Sequence, residues 1–555
     1  MRSILTVLLA FTLPVQALAE APAGQRAIQA DKLSETVKVM ASDAFEGRAP
    51  GTPGEDKTVD YLVQRMQAIG LEPGGPDGQW TQAVPMMRTL VQTPAQIAFA
   101  TAGSRLALEQ GVDIALATAE PRESIKAEDV PLVFVGFGVS APEQDWDDYG
   151  DIDLSGKIAV FLVNDPDFAA APGEPAAGRF GNRRMTYYGR WAYKYEEAAR
   201  RGALGALVIH ETGAAGYNWS VAAAGPGEQV ALAEPPAGTP SITVQGWLHN
   251  DAATKLLAMA GEDLDALRVA ARRPDFQAFE LPGVHFNASL AVQVSRFDSR
   301  NVLGLLPGTE RPGEVLMASA HWDAFGLGEP DAQGRTVHPG ANDDALGSAG
   351  VLEIARVLKA GPPLERSVLF AFWTAEESGL MGSKAYAADP VYPLETTVAN
   401  FTLDILQTAG AARDVILVGK GQSELEDDMV RVAAQQNRYV TEENLPENGL
   451  FYRADHFSMA REGVPVLLIM GIAGGADLVE GGREAGNQWI SDYVGNCYHK
   501  TCDAWSADWD LTGAVQDIEL IRQIIEDLAD SSRWPQWKDG SEFKATRDAS
   551  RAARQ

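Results

Sequence analysis

Three apolar runs in the second half of the chain lead into side chains that can bind a metal or move a proton. Val315 to Ala320 runs into His321, Ser367 to Trp373 into Glu376 and Glu377, and Val398 to Leu406 contains Asp404. A fourth run spans Val464 to Gly471, and helical segments such as SAGVLEIARVLKAG separate the runs. Regular alternation of this kind implies a mixed α/β architecture, with a mostly parallel sheet sandwiched by helices. Such a sheet offers its sites outside the carboxyl ends of its strands, where these side chains fall.

The polar residues form an ordered set: His321 in SAHWD, Asp343 in GANDDALGSAG, Glu376 and Glu377 in FWTAEESGLMGS, Asp404 in FTLDI and His499 in YHKTCD. A lone histidine is usually structural, and His210, His249, His285 and His338 are read that way. Few sites need so many carboxylates beside two imidazoles unless metal ions share them. Adjacent acids point to different sides of the chain, so one of Glu376 and Glu377 can bind metal while the other takes a proton from water. Two acids ahead of a helix are ordinary caps when taken alone. In this company Asp343 is expected to bridge two cations, which at ~3.5 to 4 Å apart need shared negative charge.

At 555 residues the chain exceeds one compact core. Met1-Arg2, an apolar stretch from Ile4 to Val15 and Ala17-Leu18-Ala19 have the order of a secretory signal, so the protein is expected to be exported, periplasmic or secreted. No cysteine directly follows Ala19 and no later segment has the ~20 apolar residues of a span, so no membrane anchor is expected. With 46 basic against 76 acidic residues the net charge is -30; this repels phosphate backbones, and nucleic acid is not an expected partner. Cys497 and Cys502 flank His499. In an oxidising compartment they are expected to pair and fix that loop, two buried thiols being the alternative.

Five stretches are expected: a signal at 1–19, the N-terminal part of the main domain at 20–128, an insertion at 129–280, the catalytic domain at 281–537 and a mobile polar tail at 538–555. VGFGV, GKIAV and AARRGALGALVIH, in that order, resemble the protease-associated β/α domain.

The strings HWD, GANDDALG, LEIAR, EESGLMGS, LDI, ADHFSMAREGVP and YHKTCD resemble the secreted di-zinc aminopeptidase family, which includes glutamate carboxypeptidase II and transferrin-receptor ectodomains. The resemblance implies a zinc-exopeptidase fold and two zinc ions. Asp343, Glu377 and His499 would hold one ion, and Asp343, His321 and Asp404 the other. Glu376 would be the general base, Asp323 would orient His321, the Asp343–Asp344 peptide would be cis, and Asp455, His456 and Phe457 would line the substrate pocket, with a supporting or packing role the equal alternative for His456. Thr402, Ala454 and Lys500 depart from the family's usual residues without removing a ligand.

The implied activity is removal of N-terminal residues from peptides by a metal-bridging hydroxide, with Glu376 taking and returning the proton. A carboxypeptidase or dipeptidase is the first alternative, in which Arg183, Arg184 or Arg190 would recognise a free carboxylate. A glutaminyl-cyclase-like transferase is weaker because of the insertion. An inactive binding receptor would have had little reason to keep every ligand.

Overall fold

The computed structural model describes residues 26–554 apart from residues 224, 226 and 237. The expected signal at 1–19 lies outside the described residues. Among these, fifteen strands form one continuous hydrogen-bonded sheet that divides into two parts.

The catalytic part is ordered Val466–Met470, Thr397–Asp404, Arg311–His321 and Arg366–Trp373, all parallel neighbours. Beyond it, Phe279–Leu306, Thr81–Val91 and Glu228–Leu232 continue the sheet antiparallel. Every residue of Arg366–Trp373, Thr397–Asp404 and Val466–Met470 is buried, as in a parallel sheet covered on both faces. Alternate residues enter opposite cores. Leu316, Ala318 and Ala320 pack with Leu33, Val37, Val351 and Ile354 of the helices Ala30–Met40 and Leu346–Ala360. Val315 and Met317 join Leu369, Trp373 and Met459 on the other face.

The smaller part runs Ser124–Phe134, Ile158–Leu162, Gly205–Ile209 and Val244–Leu248 in parallel, with Ile114–Ala117 antiparallel at its edge. Helices Trp191–Arg200, Asn250–Met259 and Leu264–Ala270 complete it. Its strands begin upstream of residue 129, because Gln96–Ala100, Arg105–Leu108 and Ile114–Ala117 pair within it. They end downstream of residue 280, on the first half of Phe279–Leu306. The sheet boundary therefore lies outside the expected 129–280 on both sides. The upstream strands are short, and Gln96–Ala100 and Ile114–Ala117 join the sheet through partners distant in sequence.

The expectation of a mobile tail at 538–555 is corrected. Lys544–Ala549 is helical, Phe543 is buried against Phe451, Phe457 and Trp537, and Arg547 is 1% exposed. The Arg547 guanidinium lies over Trp534 and donates to the carbonyls of Leu394 and Val398. Two anchors hold the segment without any apolar periodicity in its sequence.

Candidate metal centre

His321 closes its strand in register with Trp373, and Asp404 closes the neighbouring strand in register with Met470. Ser319 pairs with Thr402, two residues before each, and their hydroxyls are 2.8 Å apart. The sheet therefore delivers an imidazole and a carboxylate to one level of its carboxyl edge. After Trp373 the chain turns sharply: Ala375 has φ 50°, and Gly379, φ 101°, donates its N–H to the Glu376 carbonyl at 2.8 Å. That turn projects Glu376 and Glu377 over the same edge. Asp343 arrives from the segment Ala341–Ala345 ahead of Leu346–Ala360, and its peptide bond to Asp344 is cis.

Asp343 divides its two oxygens between the histidines. Oδ1 is 3.1 Å from His321 Nε2 and Oδ2 is 3.3 Å from His499 Nε2. Glu377 Oε2 is also 3.3 Å from His499 Nε2, and Glu376 Oε2 is 4.0 Å from His321 Nε2. Side chains thus converge from both expected ligand sets. Ligand atoms of His321, Asp343 and Glu377 lie within 4.8 Å of one another, as do those of His321, Asp344 and Asp404. Asp344 Oδ1 accepts the Gly347 N–H at 2.9 Å and Oδ2 the His321 N–H at 3.3 Å, bonds that hold its side chain in place.

Asp323 couples two of these segments. Its Oδ1 lies 3.4 Å from His321 Nδ1 and accepts the Glu376 N–H at 3.0 Å, while Oδ2 accepts the Glu377 N–H at 3.4 Å. Metal-bound imidazoles commonly need such a carboxylate on the other ring nitrogen. His499, with φ 62°, occupies a left-handed conformation unusual for a side chain of that size. The Cys497–Cys502 disulfide closes the loop around it, with Tyr498 and Phe325 rings at 3.7 and 4.6 Å.

The electrostatics favour cations at this place. Burial pushes the carboxyls of Glu376 and Glu377 well above the ordinary range, and neighbouring acids add to this. Burial together with the Asp343 charge raises Asp404 to about 7. Asp343 is lowered: burial opposes its ionisation, but hydrogen bonds from His321 and His499 outweigh it. Glu377 Oε1 is sealed from solvent without a hydrogen-bond partner. Buried acids crowded on two imidazoles, one with an orphan oxygen, fit a divalent-metal site.

The expected pocket residues separate. Asp455 accepts from Ser383 Oγ at 2.5 Å, and its charge is felt by Glu376 and Asp404. His456 is turned into the core, fully buried with its ring 5.0 Å from Phe451, and burial lowers its pKa to about 3, so it stays neutral. Phe457, 5% exposed, packs against Tyr187 and Tyr452 at 5.0 and 5.3 Å. Of the two roles open to His456, its place beneath the surface is that of a packing residue.

Two supports escaped sequence reading. Asp503 Oδ1 accepts the Asn342 N–H at 3.0 Å, and Oδ2 accepts the Asp343 N–H at 3.1 Å and the Tyr493 hydroxyl at 3.2 Å. Fully buried Arg48 donates to the carbonyls of Trp322, Met40, Pro339 and Gly340, tying the N-terminal segment to those carrying His321 and Asp343. The only available signal was an arginine inside the breaker run FEGRAPG and an acid after Cys502.

Leupeptin-inactivating enzyme 1 of Streptomyces exfoliatus is 28% identical over 214 residues, covering 37% of this chain and 43% of that protein. Aminopeptidase YwaD of Bacillus subtilis is 30% identical over 142 residues, 25% of this chain and 29% of that protein. The chain thus spans less than half the length of these relatives. Among solved structures, the aminopeptidase from Aneurinibacillus sp. strain AM-1 superposes with a TM-score of 0.49 at 18% identity, over 93% of this chain and 96% of that one. The model of peptidase family M28 matches residues 301–521, a stretch that contains His321, Asp343, Glu376, Glu377, Asp404 and His499. Through that segment, the chain is similar to peptidase family M28.

Proposed function

We propose that the protein is an exported aminopeptidase that works with two zinc ions. The carrying observation is Asp343, which turns one oxygen to His321 and the other to His499. Asp343, Glu377 and His499 would hold one ion, and Asp343, His321 and Asp404 the second. Zinc, when bound, supplies Lewis-acid polarisation of the scissile carbonyl and lowers the pKa of water. Glu376 stands beside the ligands without pairing to His499, and it takes the proton of the attacking water and returns it to the leaving amine. Asp323 holds the Glu376 and Glu377 amides and the His321 ring in one frame. Crowding by Glu376, Asp404 and Asp455 leaves a negative surface that suits the free amine of a peptide.

Aminopeptidase polarity is supported by the relatives' names, and export by the signal-like first residues. No described helix is long and apolar enough to cross a membrane. The smaller sheet is read as a protease-associated domain, because VGFGV directly follows the strand Ser124–Phe134, and GKIAV and ALGALVIH run into Ile158–Leu162 and Gly205–Ile209, which pair in parallel after it.

The test is mass spectrometry of short peptides, free or N-acetylated, with and without a chelator and zinc restoration. Chelator-sensitive loss of N-terminal residues from free peptides alone is expected. Loss of C-terminal residues from both would make the protein a carboxypeptidase, and no cleavage with zinc restored would leave a binding protein.

A further inference from the structure

Among the described residues one phenylalanine alone is exposed, and it stands at the metal centre. Phe325 is 42% exposed and Leu327, two residues on, is 61% exposed, whereas the other described phenylalanines are buried or half-buried. Both side chains belong to a short hairpin, Gly326–Leu327 paired with Val337–His338, in the stretch between His321 and Asp343. Large apolar groups left in water beside a reactive site are surface that a ligand can cover.

The hairpin is fixed on two sides. Its back rests on the segment Asp43–Arg48, where a Cβ on Gly47, φ 68°, would collide with the carbonyl oxygens of Gly326 and His338, so only glycine lets the two backbones meet. Its turn is organised by Asp331, whose Oδ1 accepts the Gln333 and Arg335 N–H groups at 2.8 and 2.9 Å. Asp331 Oδ2 accepts Arg335 Nε at 2.7 Å and also the Thr501 hydroxyl. His338 Nδ1 lies 3.3 Å from the His499 carbonyl, which can only accept, so that nitrogen carries the proton. The Phe325 ring lies 4.6 Å from the His499 ring. Phe325, Asp331 and His338 thus clamp the hairpin to the loop that the Cys497–Cys502 disulfide closes.

One side of a cavity is built by this clamp. Phe325 and His338 line it together with Asp343, Glu377 and His499, the three residues read as holders of one ion. The acids Glu376, Asp404 and Asp455, read as the amine side, are not among its lining residues. A peptide whose free amine meets those acids and whose scissile carbonyl lies over the centre sends its next residue toward this opposite flank. There Phe325 and Leu327 offer the apolar area, and covering such area is favourable roughly in proportion to its extent.

We propose that Phe325 and Leu327 form the wall that receives the side chain after the scissile bond, selecting peptides with a large apolar residue in second position. This rests on the aminopeptidase reading and names its substrate class.

The test measures leucine release from Leu-Phe amide and Leu-Ala amide by the zinc-loaded wild type, Phe325→Ala and Leu327→Ala. Wild type is expected to favour Leu-Phe amide by about 5- to 30-fold in kcat/KM, mostly through KM, since a wall covers only part of the ring. Phe325→Ala should bring that ratio below about threefold, Leu327→Ala should lower it about twofold or more, and Phe325→Leu should keep most of it. Taking the ratio within each variant cancels any loss that both peptides share through the contact with His499. If Phe325→Ala does not fold, exposed Leu327 decides the matter. A variant that changes the ratio of Leu-Ala amide to Ala-Ala amide, and leaves the Leu-Phe to Leu-Ala ratio intact, would place the wall at the first residue and overturn the assignment. Equal kcat/KM for Leu-Phe and Leu-Ala amides in wild type overturns the wall and leaves the aminopeptidase reading intact. If neither peptide loses leucine, that reading fails, and calorimetry of the two peptides against wild type and Phe325→Ala tests the wall alone. Equal affinities would overturn it, and tighter binding of Leu-Phe amide that Phe325→Ala loses would support it.

Discussion

Replacing Asp503 by asparagine should loosen the metal centre without touching a metal ligand. Asp503 Oδ1 accepts the Asn342 N–H, and Oδ2 accepts the Asp343 N–H and the Tyr493 hydroxyl. Whichever way the new amide turns, its NH2 meets a backbone N–H, so at least one buried donor loses its acceptor. An unsatisfied buried donor costs about 1 to 3 kcal/mol. The backbone would recover part of this by shifting Asp343, whose two oxygens must face two histidines at once. Since about 1.4 kcal/mol is tenfold, zinc affinity should fall roughly 5- to 150-fold, within the range seen when groups supporting metal ligands are removed. Competition with a chromophoric chelator measures this directly. Tyr493→Phe removes only the 3.2 Å hydroxyl bond and leaves both backbone bonds, so it should weaken zinc by less than about threefold. Unchanged zinc affinity in Asp503→Asn, or an equal loss in Tyr493→Phe, would refute the reasoning.

Glu376→Gln should lower kcat by about 10²- to 10⁴-fold while zinc content by elemental analysis stays at the wild-type value; a parallel loss of metal would make Glu376 a ligand instead. Chelation should lower the melting temperature because it leaves the carboxylates uncompensated, and free zinc at 100 times its Kd should restore about 2.7 kcal/mol of stability; identical melts with and without chelator would contradict a metal centre here. Burial raises Asp148 in the smaller part from 3.8 to about 7. Its folded pKa thus lies above its unfolded one, so its stabilising contribution is full below about pH 4 and is lost as pH rises through about 7. In urea melts wild type should therefore lose stability relative to Asp148→Asn between pH 5 and pH 8, and a pH-independent difference would remove that reading.

The metal-facing residues were legible because each follows an apolar run or a glycine turn, so position and chemistry coincide. His321 and Asp404 are strand ends in the structure as in the sequence. Arg48 and Asp503 were not legible, since their partners are mostly backbone groups up to 292 residues away, and such bonds leave no pattern. His456 stayed open between two roles because of its neighbour. Asp455 immediately precedes the helix His456–Arg461, and consecutive residues there point about 100° apart, so one reaches the acids while the next enters the core. The strands between residues 96 and 117 are four or five residues long, too short for alternation to announce them. The tail hid for a related reason: one phenylalanine and one arginine anchor it.

Phe279–Leu306 belongs to both parts of the sheet, pairing with Ser124–Phe134 at its start and Arg366–Trp373 at its end. The smaller part is therefore spliced onto the catalytic one by a single beam rather than strung on a tether. A hinge there would have to break ladder hydrogen bonds, so wide swinging of one part over the other is not a soft motion. Removing the smaller part by cutting at residues 129 and 280 would leave His285 and Phe286 without their Pro131 and Val130 counterparts and expose a bare sheet edge, which is a template for aggregation.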